Sequence, residues 1–446
     1  MKIAVVAMGK IGLPLAVQFA DADPAHEVVG VDVDAATVEA INAGREPFPG
    51  EAHLADKLAA LVPAGRLRAT TDYADAIPGA DAVVVVVPLF VDEATGAPDF
   101  GWMDAATASL APHLTPGTLV SYETTLPVGT TRERWKPMIE ELSGLRESAE
   151  GGFHLVFSPE RVLTGRVFAD LRRYPKLVGG LSEAGTARAV AFYESVLTFD
   201  EREDLPRPNG VWDLGSAEAA EMAKLAETTY RDVNIGLANQ FARFADTVGI
   251  DVHKVIEACN SQPYSHIHTP GIAVGGHCIP VYPRLYLSTD PDADATVVRT
   301  AREANAAMPE YAVARAEALL GSLEGLRVVV LGASYRGKVK ETAFSGIFAT
   351  VEALRTRGAH VLVHDPMYSA TELAAFGWEP YAWAAGEPGD PVDVAIVQAD
   401  HPEYAQLAAS DLPGLRVLLD GRRVTDATRF TGVPRLTIGG GEPVTA

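Results

Sequence analysis

The first thirty-two residues place the strongest constraint on the fold of this chain. An apolar run at residues 3–7 meets Gly9 and Gly12, and a pattern with helical spacing follows the second glycine. Another apolar run at 28–31 then ends at Asp32. Strand, glycine turn, helix and strand in this order predict a β–α–β unit, so the chain should begin with an α/β domain.

This unit carries the marks of a dinucleotide site. Glycines in the turn let a pyrophosphate reach a helix N-terminus. An acidic residue after the second strand accepts hydrogen bonds from the ribose hydroxyls. The carboxylate of Asp32 favours NAD over NADP. The turn reads A-M-G-K-I-G, with Ala7 at the usual first glycine, and an α/β unit without a cofactor remains the alternative. The expected cofactor contacts are Gly9, Lys10, Ile11, Gly12 and Asp32.

Two further apolar runs extend this first domain. Residues 81–88 are an unbroken apolar strand of the kind that is buried in a parallel sheet. Residues 118–131 run from a strand into a loop rich in hydroxyl groups. Ligands in doubly wound sheets bind beyond the carboxyl ends of the strands, so Pro88, Glu123 and Thr125 are predicted to face the cofactor.

A carboxylate and a guanidinium follow the next strand. Residues 153–165 end that strand with Glu160 and Arg161. A carboxylate at this point could position water or act in proton transfer. The alternative is an exposed ion pair at the strand end.

The middle of the chain is predicted to hold one long helix. Apolar residues recur with helical spacing from 216 to 248, and no proline interrupts them. Such a helix normally spans between domains or packs against a partner. Lys224 lies on it among alanine and leucine, where a lysine can serve as acid or base. A solvated surface lysine is the alternative.

Residues 269–283 form a loop that is too rich in glycine and proline for a regular helix or strand. The loop holds Cys278, one of the two cysteines of the chain. A thiol on such a loop is a candidate nucleophile if its neighbours lower its pKa. A buried structural cysteine in a turn explains these residues equally well, so the local sequence leaves both interpretations open.

The C-terminal part repeats the α/β plan. A strand and a glycine turn follow Gly325, and apolar strands recur at 361–364, 392–397 and 417–420. Cations that a phosphorylated ligand would need follow the first and the last of these strands, namely Arg336, Lys338, Lys340, Arg422 and Arg423.

Together these patterns predict an α/β protein with two Rossmann-like doubly wound domains. A central helical domain with the one long helix joins them. The predicted boundaries give an N-terminal NAD-binding domain at 1–205, a central domain at 206–320 and a C-terminal α/β domain at 321–446.

Composition excludes several other classes of protein. The chain has 446 residues and a net charge of −22, which argues against non-specific nucleic-acid binding. Two cysteines exclude a disulfide framework and fit a reducing compartment. No signal peptide and no membrane span is expected, so the predicted location is the cytoplasm. No metal site is predicted.

Several separate motifs follow one another along the chain. Besides the N-terminal turn they are E-T-T-L-P-V-G-T-T at 123–131, S-P-E-R-V at 158–162, A-E-M-A-K-L-A-E-T-T-Y-R-D-V-N at 220–234, G-G-H-C-I-P at 275–280 and D-G-R-R at 420–423. In these motifs and in their order the chain resembles, over nearly its whole length, the UDP-glucose/GDP-mannose dehydrogenase family, and most closely the branch that acts on UDP-N-acetylmannosamine and UDP-N-acetylglucosamine.

The resemblance implies a four-electron oxidation of the C6 alcohol of a UDP-sugar to a uronic acid. It makes Cys278 the nucleophile that captures the aldehyde as a thiohemiacetal and later forms a thioester. Lys224 would stabilise the oxyanion, and Glu160 with Thr125 would hold water. The C-terminal domain would bind UDP, and the long helix would build a homodimer. The implied substrate contacts are Glu160, Arg161, Lys224, Thr228, Gly275, His277, Tyr335, Arg336 and Arg422.

Four positions depart from the family pattern. The family has an acid where this chain has Tyr282, an asparagine at Thr228, an arginine at Ala343 and a glycine at Ala7. All four lie near the expected cofactor or chemistry. Two alternatives to the plain dehydrogenase follow. One is an enzyme with tightly held NAD that makes a two-electron or redox-neutral change, and the other is a catalytically silent binding protein.

Overall fold

The computed structural model describes residues 1–92, 95–289 and 294–442. These residues divide into two compact units. The first is built on Met1–Ala226, and the second on Glu227–Leu287 and the C-terminal part of the chain.

The first unit contains an eight-stranded sheet in the order β10-β9-β8-β7-β4-β1-β2-β3. Its neighbouring strands pair in parallel except for β8 and β9, which are antiparallel. The elements are β1 Lys2–Val6, α1 Gly12–Ala22, β2 Glu27–Val31, α2 Ala35–Asn42, α3 Leu54–Leu61, β3 Leu67–Thr70, α4 Tyr73–Ala76, β4 Ala82–Val85, β5 Phe90–Val91, β6 Pro98–Asp99, α5 Gly101–Leu110, β7 Leu119–Tyr122, α6 Lys136–Ser143, β8 His154–Phe157, α7 Val167–Arg173, β9 Lys176–Gly180, α8 Glu183–Val196 and β10 Val211–Asp213.

The second unit contains a six-stranded, wholly parallel sheet in the order β13-β12-β11-β14-β15-β16. The remaining elements of the chain are α9 Ala217–Val248, α10 Val252–Asn260, α11 Tyr282–Thr289, α12 Thr296–Ala306, α13 Met308–Leu320, β11 Arg327–Leu331, α14 Ile347–Thr356, β12 His360–His364, α15 Ala370–Ala375, β13 Glu379–Pro380, β14 Val394–Val397, β15 Val417–Asp420 and β16 Arg435–Thr437.

The central strands are apolar throughout because both faces of each sheet are covered. In β1, Ile3 and Val5 join the core on one face, and Ala4 and Val6 join the core on the other. The sequence of a strand that is buried on both faces is a continuous apolar run, without the alternation of apolar and polar residues seen in half-exposed strands. The predicted α/β class, with doubly wound sheets and one long helix, is confirmed.

The long helix α9 spans 32 residues, and the division between the two units falls within it. It begins one residue after the predicted start and ends at the predicted residue. Across the described ranges, no helix has both the length and the apolar character needed to cross a membrane.

Candidate active site

The turn after β1 has the backbone geometry of a dinucleotide loop. A β-carbon added to Gly12 would lie 1.9 Å from the carbonyl oxygen of Ala7, so the fold itself requires glycine there. A β-carbon added to Gly9 would meet no atom within 4 Å. Gly9 is therefore not required for packing, and its missing side chain leaves room for a ligand to approach the backbone. Ala7 adopts a φ of 75°, a left-handed conformation that favours glycine.

Asp32 ties the end of β2 to this turn. Its Oδ2 accepts the backbone N–H of Met8 at 2.7 Å, and its Oδ1 accepts that of Asp34 at 2.9 Å. The residue is half-buried, so its carboxylate oxygens can accept further hydrogen bonds. The next side chain, Val33, is 87% exposed and uncharged. A carboxylate that is followed by an uncharged residue fits the ribose hydroxyls of NAD better than a 2′-phosphate.

The other predicted residues of the first unit lie along the same edge of the sheet. Strands β7 and β8 end side by side, and the N–H of Glu160 donates to the carbonyl of Glu123 at 3.2 Å. Thr125 is buried in the loop after β7, and Pro88 is exposed after β4. The architecture thus brings the turn, Pro88, Thr125 and Glu160 to the carboxyl ends of neighbouring parallel strands. Their individual contacts with ligand stay predictions.

Two expectations for this edge are wrong. Glu123 does not face a cofactor, because its side chain is fully buried and accepts a hydrogen bond from Lys176 at 2.6 Å. Glu160 is not in an exposed ion pair with its neighbour Arg161. Its carboxylate pairs instead with Lys176 at 2.9 Å, and its side chain is only 10% exposed.

The sequence patterns did not indicate the roles of Lys176 and Tyr193. The Tyr193 hydroxyl donates to Glu123 at 2.5 Å, on the carboxylate oxygen opposite the one that Lys176 contacts. The available signal was a lysine at the start of the apolar run K-L-V-G-G of β9, where a charged side chain requires a buried partner.

A third missed residue, Glu221, fastens the hydroxyl-rich loop that follows β7, here called the hydroxyl loop, to α9. Its carboxylate accepts the N–H of Gly129 at 2.6 Å, the N–H of Thr131 at 3.0 Å and the Thr131 hydroxyl at 2.6 Å. Burial raises the pKa of Glu221 to about 7. Lys224 follows on the same helix and is only 8% exposed, so the alternative of a solvated surface lysine does not hold.

In the second unit, backbone hydrogen bonds hold the cysteine loop at three points. Ile272 donates to the carbonyl of Gly421 at 3.1 Å, and Gly276 donates to that of Ala343 at 3.0 Å. The N–H of Gly271 donates to the side chain of Asn239 on α9 at 3.0 Å. Cys278 is a free and exposed thiol on this loop. The alternative of a buried structural cysteine is therefore wrong.

The side chain of Tyr335 leaves no room for a β-carbon on the two glycines before the cysteine. A β-carbon on Gly275 would lie 2.7 Å from the Tyr335 β-carbon, and one on Gly276 would lie 3.0 Å from its ring. Between these glycines and Cys278, His277 is exposed and its Nε2 contacts the carboxylate of Glu341.

Arg422 lies beside the same tyrosine. Its Nε donates to the carbonyl of Gln398 at 3.0 Å and its Nη2 to the carbonyl of Tyr335 at 3.4 Å, and burial lowers its pKa. Arg336 is exposed. The second unit therefore brings together the glycines of the cysteine loop, Tyr335 and Arg422. Lys340 and Arg423 are engaged in ion pairs with carboxylates of the same unit.

The departures from the family pattern lie at defined places. The N–H of Tyr282 donates to the carbonyl of Cys278 at 2.9 Å, where α11 begins. Thr228 is buried on α9, four residues after Lys224. Ala343 contributes its carbonyl to the cysteine loop.

The doubly wound sheet, the glycine turn and the acid after β2 define an NAD-dependent α/β dehydrogenase. Three family models match consecutive parts of the chain. They describe the NAD binding domain, the central domain and the UDP binding domain of the UDP-glucose/GDP-mannose dehydrogenase family, at residues 1–197, 218–307 and 329–427. The chain belongs to the UDP-glucose/GDP-mannose dehydrogenase family.

Similar proteins cover almost the whole chain. A UDP-N-acetyl-D-mannosamine dehydrogenase from Pyrococcus horikoshii is 33% identical over 436 residues, which are 95% of this chain and 96% of the relative. An NDP-N-acetyl-D-galactosaminuronic acid dehydrogenase from Ralstonia nicotianae is 31% identical over 434 residues, which are 96% of this chain and 97% of the relative.

Solved structures give the same result. A UDP-D-ManNAc dehydrogenase structure from Pyrococcus horikoshii matches with a TM-score of 0.84 at 31% identity, over 99% of this chain and 100% of that chain. The protein is thus an NAD-dependent nucleotide-sugar dehydrogenase with NAD as its cofactor.

Proposed function

We propose that this enzyme oxidises the C6 alcohol of a UDP-N-acetylhexosamine to the uronic acid, with Cys278 as the covalent nucleophile. The observation that carries the proposal is the exposed thiol on a loop whose shape is set by Tyr335 and by backbone bonds to Gly421 and Ala343. The relatives named above act on N-acetylated nucleotide sugars, which supports the choice of substrate class.

The chemistry runs through two oxidations at C6. The alcohol loses a hydride and a proton to give an aldehyde, and the Cys278 thiolate adds to it as a thiohemiacetal. Loss of a second hydride leaves a thioester, which water cleaves to the acid and the free thiol. NAD, when bound, accepts the hydride, so each acid requires two NAD. A thiolate suits both steps because it is a good nucleophile and a good leaving group.

Other side chains stabilise charge and hold water. We assign the buried ammonium of Lys224 to the oxyanion that develops on C6, and Glu160 with Thr125 to the water and to proton transfer. Gly9, Lys10, Ile11, Gly12, Asp32, Pro88 and Thr125 are assigned to NAD. Tyr335, Arg336, Arg422, Gly275, His277, Arg161 and Thr228 are assigned to the UDP-sugar.

The proposal is tested by mass spectrometry of products from a panel of UDP-sugars with NAD. We expect acid from at least one UDP-N-acetylhexosamine, with two NADH formed per acid. One NADH or none per product would support instead the alternative enzyme with altered redox chemistry, which the tyrosine at position 282 favours. No turnover of any sugar in the panel would overturn the proposed function.

We further infer that the chain forms a homodimer through α9. Large apolar side chains stay exposed along one side of this helix at spacings of three, four and seven residues: Tyr230, Leu237, Phe241, Phe244 and Val248. Such a stripe is typical of a helix that packs against a partner.

Light scattering tests the dimer. Phe244→Asp should shift the mass to that of one chain, whereas Val297→Asp, at an equally exposed apolar residue on α12, should not. A dimer that persists in Phe244→Asp would overturn the assignment. We also assign the enzyme to the cytoplasm, where a free catalytic thiol stays reduced, and keep 1–205, 206–320 and 321–446 as the proposed domain boundaries.

A further inference from the structure

Four buried polar residues of the first unit form one hydrogen-bonded cluster beneath the hydroxyl loop. This carboxylate–lysine cluster consists of Glu123 after β7, Glu160 after β8, Lys176 in β9 and Tyr193 in α8. The ammonium of Lys176 bridges the two carboxylates at 2.6 and 2.9 Å, and the Tyr193 hydroxyl donates to the far side of Glu123 at 2.5 Å. Ser121 donates to that hydroxyl at 2.7 Å.

The charges of the cluster do not cancel. Two carboxylates and one ammonium leave a net charge of −1 when all are ionised, and a buried excess charge is costly. One carboxyl is therefore driven to hold a proton. Burial raises the pKa of Glu123 to about 7, whereas Lys176 and the N–H of Arg161 lower the pKa of Glu160 despite its burial. A proton held by the cluster thus resides on Glu123, which loses it as pH rises through about 7, while Glu160 stays ionised.

The other ionisable side chains near the cluster do not change which carboxyl holds the proton. Arg161, Asp170 and Tyr174 line a small cavity beside Glu160 and Lys176. Asp170 is already bonded to the N–H of Leu163 and to Arg166. On the α8 side the neighbour of Glu123 is the Tyr193 hydroxyl, which titrates well above its ordinary range because it is buried.

A structural ion pair would need only one carboxylate opposite the lysine. The second carboxylate adds a site that can take up a proton within hydrogen-bond reach of the same ammonium. Proton transfer requires this kind of direct contact between donor and acceptor. Glu160 lies at the sheet edge, whereas Glu123 lies behind it with no exposed side-chain surface.

We propose that Lys176 is a positioning residue that holds Glu160 ionised and relays its proton to Glu123. This inference rests on the proposed function, in which Glu160 receives the proton that leaves the C6 hydroxyl as the hydride leaves C6. The Lys176 ammonium gives one proton to Glu123 and takes one from Glu160, so Glu160 is again a carboxylate and the ammonium is unchanged. The stored proton returns to water by the reverse path after product leaves.

The pH dependence of kcat tests the relay. Only ionised Glu123 can accept the proton, so the wild-type kcat should rise as pH increases through about 7. Glu123→Gln should remove this rise and lower kcat by about a hundredfold, with KM nearly unchanged. Tyr193→Phe removes one donor to Glu123 without changing the packing, so it should move the rise to higher pH.

Lys176 is tested by paired variants. Lys176→Met should move the rise to higher pH and lower kcat. Lys176→Arg keeps the positive charge but cannot give up a proton, so it should keep the rise at the wild-type pH while kcat stays low. The relay is overturned if Glu123→Gln keeps the wild-type rise. The relay is equally overturned if Lys176→Met and Tyr193→Phe lower the protein's Tm but leave unchanged the pH at which kcat rises.

Infrared difference spectra separate this inference from the proposed function. Between pH 5 and 9, a carboxyl C=O band that titrates near 7 should be present in the wild type, absent in Glu123→Gln and displaced in Tyr193→Phe. A wild type that shows this band but oxidises no sugar overturns the proposed function alone. A wild type that makes acid but has no such band overturns the relay alone.

Discussion

Asp32 and Asp365 occupy equivalent positions at the ends of the second strands of two separate sheets, and each accepts a backbone N–H from the turn after the first strand. The donors are Met8 at 2.7 Å and Ala333 at 2.8 Å. Asp365 is also fully buried and bonded to His401 at 3.1 Å, whereas Asp32 is half-buried. Of these two carboxylates, only the one in the first unit can still receive ribose hydroxyls.

Cofactor choice should therefore depend on Asp32. We expect kcat/KM with NAD to exceed kcat/KM with NADP by roughly tenfold to a hundredfold, because a charge-assisted hydrogen bond contributes about 1.5–3 kcal/mol. Asp32→Ser should reduce the preference for NAD over NADP. Asp365→Asn should lower the Tm but leave the preference for NAD unchanged. Comparable wild-type kinetics with both cofactors would contradict the assignment.

The two glycines of the first turn should respond differently to substitution. Gly12→Ala should lower the Tm strongly because its β-carbon would overlap the Ala7 carbonyl oxygen. Gly9→Ala should leave the Tm unchanged and weaken NAD binding, since its side chain would enter only ligand space. Calorimetry of unfolding and of NAD binding measures both effects. An unchanged NAD affinity in Gly9→Ala would show that the pyrophosphate binds elsewhere.

Relief of strain at Ala7 is a separate prediction. A residue other than glycine in the left-handed region costs about 1–2 kcal/mol, and the greater freedom of glycine in the unfolded chain offsets part of this. Ala7→Gly should thus raise the free energy of unfolding by about 0.5–1 kcal/mol. Denaturant titration of both proteins measures it. A loss of stability would mean that the alanine methyl group packs favourably.

The thiol has a matched control within the chain. Cys278→Ser should abolish acid formation, since a serine hydroxyl is a much weaker nucleophile at neutral pH. Cys259→Ser, at the half-buried free cysteine of α10, should keep nearly full activity. Product analysis by mass spectrometry distinguishes the two. Full acid production by Cys278→Ser would exclude the covalent route.

Tyr282 should slow the hydrolysis of the thioester. The carboxylate of the family would hold Lys224 charged and order the water, whereas a phenol is neutral near pH 7 because its ordinary pKa is about 10. Loss of one such contact costs about 1.5–3 kcal/mol, roughly ten- to a hundredfold in rate. Tyr282→Asp combined with Thr228→Asn should therefore speed acid release.

Rapid-quench analysis decides this prediction. The wild type should accumulate a covalent adduct before acid appears, and the double variant should not. If the wild type releases acid without a lag and the double variant is slower, the tyrosine is an adapted part of the site.

The structural features that could be predicted from the sequence are those that depend on residues close together in the chain. The glycine turn with Asp32, the uninterrupted apolar spacing of α9 and the glycines around Cys278 each lie within one stretch of the chain. Their backbone geometry follows from residue type and short spacing alone, so no knowledge of distant partners was needed.

The features that sequence missed depend on partners far away along the chain. Glu123 looked like a ligand contact because it follows a strand, but Lys176 and Tyr193, 53 and 70 residues away, donate hydrogen bonds to its two carboxylate oxygens. Glu221 on α9 likewise accepts hydrogen bonds from a loop about 90 residues earlier in the chain. A buried charge cannot be assigned until its counter-charge is known, and that pairing is set by the order of strands in the sheet.

The cysteine loop also has a consequence for the order in which the protein becomes active during synthesis. Ile272 is bonded to Gly421, and the glycines before Cys278 fit against Tyr335. The loop therefore takes its final shape only after the ribosome has completed almost the entire chain. A chain that lacks Gly421 and Tyr335 therefore lacks the contacts that shape this loop. The reactive centre is thus assembled last, after the residues that shape its loop have been synthesised.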